Sequence, residues 1–117
     1  MNQATISQVI SEYEGFLELL DDAYWEANQI NHKDFIYDVV GVFSKELSEL
    51  NKLSVQDHHY SYEFITEGIA RISSKVLELD QTKEQLIPRT KTLKDLSEVL
   101  SNIIVILESQ TDGLGTD

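Results

Sequence analysis

The sequence contains no cysteine and only one proline, Pro88. The first absence removes disulfides, thiolate zinc sites, iron–sulfur clusters and a cysteine nucleophile from consideration. The second, with glycines isolated at Gly15, Gly41 and Gly68 outside the C-terminal segment, removes the turn punctuation that an all-β chain needs. Basic residues are also scarce: nine lysines and arginines stand against 21 acidic residues, a net charge of −12. Binding to nucleic-acid phosphate or anionic lipid draws on clustered Lys and Arg, so neither is an expected partner. No hydrophobic run approaches the roughly 18 residues that span a bilayer. Residues 1–5 also lack the basic and apolar regions of a signal peptide, and the cytoplasm is the expected compartment. There is no Walker loop, no Gly-x-Gly-x-x-Gly pattern and no Gly-x-Ser-x-Gly elbow, so enzymes that depend on those devices are excluded.

What the 117 residues do contain is a 41% hydrophobic fraction, enough for one core without external staples. A single domain over residues 1–110 is expected, followed by an aperiodic, disordered tail at 111–117. Four segments carry apolar residues at helical spacing. Residues 5–29 align Ile6, Val9, Ile10, Tyr13, Phe16, Leu17, Leu20, Tyr24 and Ala27. Residues 32–53 align Ile36, Val39, Val40, Phe43, Leu47 and Leu50 behind Asn31 as N-cap. Residues 55–79 follow Ser54 and align Tyr62, Ile65, Ile69, Ile72, Val76 and Leu79. Residues 93–109 begin with Thr92 and Asp95 in a capping-box pattern and align Leu93, Leu96, Leu100, Ile103 and Leu107. Residues 80–91 form the longest linker, with a short helical turn at 82–86 before Pro88. The expected fold is therefore all-α, an antiparallel up-down bundle of about four helices.

Charge is distributed unevenly. The first basic residue is Lys33, whereas Glu12, Glu14, Glu18, Asp21, Asp22 and Glu26 all precede it. At 100° per residue Trp25 lies about 120° from the core direction of its helix, on the side shared with Asp21 and Glu14. Trp25 with Glu18, Asp21, Asp22 and Glu26 is the expected contact surface for a partner with a basic surface. Phe35, Val42, Tyr60 and Phe64 also lie to the side of their stripes and are expected to drive self-association, most simply as a homodimer. Gly15, Gly41 and Gly68 each fall inside an expected helix, where glycine costs about 1 kcal/mol relative to alanine. Gly68 lies near a core stripe, where close packing would offset that cost.

Two clusters invite a chemical reading. Asp57-His58-His59 with Glu63 offers His59 and Glu63 at i, i+4, a spacing that can converge on a metal. Adjacent histidines project about 100° apart on a helix, however, and the cluster is expected to be a solvated helix start with no cofactor. Phe43-Ser44-Lys45-Glu46-Leu47-Ser48-Glu49-Leu50 and Leu93-Lys94-Asp95-Leu96-Ser97-Glu98-Val99-Leu100 each carry a Glu-x-x-Glu or Asp-x-x-Glu pair. In these sixteen residues the chain resembles the MazG-like nucleotide pyrophosphohydrolases. The resemblance implies a magnesium-dependent hydrolase with Glu46, Glu49, Asp95 and Glu98 as metal ligands. The composition and surplus aromatics point instead to a non-enzymatic interaction module, such as an inhibitor, an immunity or antitoxin-like protein, or an adaptor.

Overall fold

The computed structural model of the chain describes residues 4–87 and 90–115, with side chains through residue 110. It is an all-α antiparallel bundle with four long helices and one short one: α1 (Ile6–Glu26), α2 (Ile30–Asn51), α3 (Glu67–Ala70), α4 (Ser73–Leu86) and α5 (Lys91–Gly115). A 3₁₀ turn at Val55–Asp57 follows α2. No described helix is long and apolar enough to cross a membrane. The first helix packs against both α2 and α5, and α4 closes the bundle against α5.

Each long helix contributes the stripe its periodicity demands. Along α1 the buried residues are Ile6, Val9, Tyr13, Phe16, Leu20 and Ala23, and along α5 they include Leu93, Leu96, Leu100, Ile103 and Leu107. These follow the alternating three- and four-residue steps of a bundle seam. At its centre Phe43 meets the ring edges of Phe16 and Tyr13, both at 5.0 Å between centroids.

The expected third helix is not one helix. Residues 58–66 leave the helical path, and the reason is a set of tertiary hydrogen bonds that replaces the helical ones. The Tyr60 and His58 carbonyls accept from the backbone N–H groups of Ile6 and Ser7, both at 2.9 Å. The N–H of Gln8 donates to the Thr5 hydroxyl, while the Gln8 side chain accepts from the Thr5 N–H. Every first-turn donor of α1 is thus satisfied, three by the loop and the capping box and the next by the helix itself. In return the Tyr62 N–H donates to the Ala4 carbonyl at 2.9 Å. Gln110 of α5 then acts as a short strand partner, donating to the Tyr62 carbonyl at 2.8 Å and accepting from the Phe64 N–H at 3.2 Å.

Glu46 completes this arrangement. It is the one charged residue buried in the core of the described chain, fully so. One carboxylate oxygen accepts from the Tyr62 hydroxyl at 2.7 Å and the Ile65 N–H at 2.8 Å, and the other from the Thr66 N–H at 2.8 Å. The Tyr13 hydroxyl donates to that of Tyr62 at 3.0 Å, so a chain of hydrogen bonds runs from α1 to α2. Immediately afterwards Thr66 caps α3 through its side chain.

Three end signals differ from expectation. The N-cap of α2 is Gln29 rather than Asn31, because the helix begins earlier, at Ile30. Thr92 lies inside α5, so its hydroxyl goes to Glu26 and Asp95 pairs with Lys91 instead of forming a capping box. Helix α4 absorbs the expected turn at 82–86 and continues to Leu86. Pro88, expected to interrupt this segment, lies outside the described residues. At the other end α5 continues through Gly115, into the segment expected to be a disordered tail, of which residues 116–117 lie outside the description.

Leaving a buried donor unpaired costs about 1–3 kcal/mol, so Glu46→Leu should destabilise the protein by about 3 kcal/mol or more in chemical denaturation. Glu46→Gln, which keeps one acceptor oxygen, should cost less. Burial pushes the Tyr13 and Tyr62 phenols well above the ordinary value near 10. The folded chain therefore holds these protons more tightly than the unfolded one. Stability should be unaffected by these groups below pH of about 10 and fall as pH rises beyond it. Thermal melts in alkaline buffers should show a shallower decline for Tyr13→Phe than for the wild type.

Candidate functional site

The connection between α1 and α2 spans only residues 27–29, which brings the last turns of α1 beside the first turns of α2. Lys33 exploits this closeness. Its ammonium donates to the Tyr24 carbonyl, one of the carbonyls that the end of α1 leaves without a helical partner. It also lies 4.6 Å from the centroid of the Tyr24 ring and 5.6 Å from that of Trp25. The two rings meet edge to face at 5.3 Å. Trp25 is consequently held by a ring and a cation on one side, although 72% of its surface is exposed.

Beyond Trp25 the outer seam between α1 and α2 opens into a groove of about 430 Å³. Leu17 and Val40 line its apolar part, Tyr24 and Trp25 contribute from α1, and Tyr37 contributes from α2. Asp21 and Ser44 supply its polar groups. Tyr37 is 67% exposed. On the opposite flank of α2 a second hollow, of about 620 Å³, lies between Tyr37, Asp38, Gly41, Val42 and Lys45 of α2 and residues 66–68. Tyr37 therefore borders both.

Of the residues expected to contact a partner, Trp25, Glu18, Asp21 and Asp22 are exposed on α1. The three acids have no ion-pair partner among the described residues. Glu26 is different. Its two oxygens accept from the hydroxyls of Thr90 at 2.9 Å and Thr92 at 2.5 Å, which ties the end of α1 to the start of α5. The residues expected to drive self-association separate in the same way. Phe35, Val42 and Phe64 are partly buried against the chain's own core, whereas Tyr60 is exposed and rests on His59, 4.3 Å away between ring centroids.

The four carboxylates of the hydrolase resemblance are not brought together. Glu46 is committed to the 62–66 segment. Glu49 pairs with Lys52 at 2.9 Å, and Asp95 pairs with Lys91 at 2.7 Å, a bond that raises the Lys91 ammonium. Glu98 is exposed on α5, and α1 packs against both α2 and α5. Asp57, His58, His59 and Glu63 likewise converge on no common point. Among the described residues, no group of three or more Asp, Glu or His side chains is placed to hold a metal ion.

Sequence reasoning missed Tyr37, an exposed member of the groove, and Ile30, an exposed apolar residue at the start of α2. Tyr37 was legible, since it directly follows Ile36 of the core stripe and so projects about 100° away from it. Ile30 was not, because it fell in the expected connection rather than in α2. No protein-family model matches the chain, and neither the curated proteins nor the solved structures contain a significant match.

A cation over aromatic rings contributes about 0.5–1 kcal/mol at a site of this exposure. Lys33→Met should lower stability by about that amount. It should also increase the mobility of Trp25, measured as a fall in its fluorescence anisotropy.

Proposed function

We propose that this chain is a non-enzymatic interaction module of the cytoplasm that recognises a basic surface on a different protein, as an inhibitor, an immunity or antitoxin-like protein or an adaptor does. The reading rests on one observation: exposed Trp25 and Tyr37 line an apolar groove together with Asp21, and the exposed acids Glu18, Asp21 and Asp22 of the same helix have no ion-pair partner among the described residues. Aromatic anchors supply contact area at low entropic cost and are enriched at protein interfaces. Unpaired acids supply long-range attraction, which raises the association rate and is screened by salt. A chain of charge −12 carries such a field before any contact forms.

A different protein is favoured over a second copy of the chain. In a symmetric dimer the same patch lies on both sides of the axis, so Asp21 and its neighbours would face their own images. Like charges across an interface oppose association. Three of the four residues expected to favour self-association are also partly buried within the monomer.

Trp25 is the sole tryptophan, so its emission reports directly on this face. Titration with a synthetic amphipathic helix of Leu and Lys should shift that emission, with affinity falling as salt is added. The triple reversal Glu18→Lys, Asp21→Lys and Asp22→Lys should weaken binding at least tenfold, and a Leu/Glu helix should not bind. Equal binding by the reversed variant would discard this face as the recognition surface. Light scattering should return a monomer.

A further inference from the structure

The groove between α1 and α2 offers more than apolar area. Two of its rings stand nearly at right angles, Tyr24 against Trp25 with 86° between their planes. Tyr37 reaches it from the other helix and touches no other ring among the described residues, so the space is walled by aromatic side chains from both helices. Asp21 is the one charged residue in its lining. It is exposed and has no ion-pair partner among the described residues. The neighbouring cations are engaged elsewhere: the Lys33 ammonium donates to the Tyr24 carbonyl, and Lys45 lines the hollow on the other flank of α2.

An aromatic ring attracts a cation to its face. The Lys33 ammonium, 4.6 Å from the Tyr24 centroid and 5.6 Å from that of Trp25, shows these two rings doing so within the chain. A partner's lysine and arginine would use the groove differently. An ammonium is compact and strongly hydrated, and one carboxylate and the Ser44 hydroxyl amid hydrocarbon replace little of its water. A guanidinium is planar and weakly hydrated, and it carries its donors at the edge while leaving its faces to aromatic rings. Its fork matches the two oxygens of a single carboxylate, and its methylene stem packs along apolar surface.

We infer that the groove is an arginine site, in which a guanidinium of the partner lies between Trp25 and Tyr37 and pairs with Asp21, its stem against Leu17 and Val40. This inference rests on the proposed recognition of a basic protein and names the side chain that anchors it. Glu18 and Asp22 stand outside the lining and act by attraction at a distance.

The test uses the full chain and two amphipathic helical peptides of the same length and pattern, Leu/Arg and Leu/Lys, followed by Trp25 emission. The wild type should bind the arginine peptide at least about fivefold more tightly than the lysine peptide. Asp21→Asn, which keeps the shape of the side chain and removes its charge, should erase that preference, and so should Tyr37→Leu. Asp22→Asn removes the same charge outside the groove, and it should weaken both peptides alike and leave the preference intact. All three positions are exposed, so the variants should unfold near the wild-type temperature. If the wild type binds both peptides equally, if either groove variant retains the preference, or if Asp22→Asn erases it, the arginine site is overturned while the recognition of a basic partner stands. If the wild type binds neither peptide, both readings fail.

Discussion

A single carboxylate placed in the wrong environment by ordinary rules organises this bundle. Glu46 occupies a seam position of α2 that its neighbours Phe43 and Leu50 fill with hydrocarbon, and it is fully buried. Transfer of such a group out of water is unfavourable unless donors replace the lost solvent. The donors are the Tyr62 hydroxyl and the N–H groups of Ile65 and Thr66. That requirement fixes residues 62–66 as extended chain, which in turn sets the start of α3 and leaves the carbonyls of His58 and Tyr60 free to cap α1. One buried charge thus decides the path of the segment that joins two halves of the fold.

Glu46 does not act alone. Tyr13, Glu46 and Gln110 come from three different helices, each at a position that continues an alternating three- and four-residue seam, and each ends on Tyr62. Polar groups at seam positions carry information that hydrocarbon does not, because only one register satisfies their hydrogen bonds. The aromatic edges around Tyr13 and Phe43 then pack against a loop whose position is already specified.

The same seams explain what the sequence disclosed. The stripes of α1 and α5 were readable residue by residue, since uninterrupted apolar periodicity leaves a helix one way to face the core. Residues 55–79 kept enough periodicity in Tyr62, Ile65, Ile69, Ile72, Val76 and Leu79 to look like a helix, and all of these but the exposed Ile65 are buried. What the pattern could not reveal is that Glu46 and Gln110 compete for the backbone between them. The interruption at Glu46 was present in the spacing, as a carboxylate between Phe43 and Leu50, but its partner lay in a loop with no signal of its own. On the surface, Trp25 and its acids were legible from the helical projection. Glu26 was not separable from them, because its attachment to Thr90 and Thr92 depends on where α5 begins.

Tyr62 is held from one side by Ala4 and from the other by Gln110, so the start of α1 and the C-terminal part of α5 meet at one pole of the bundle. Trp25 lies at the opposite end of α1, some twenty residues and about 30 Å away. The bundle thus has a base, where the start of α1 and the C-terminal part of α5 converge on Tyr62, and a head, where its aromatic face is displayed.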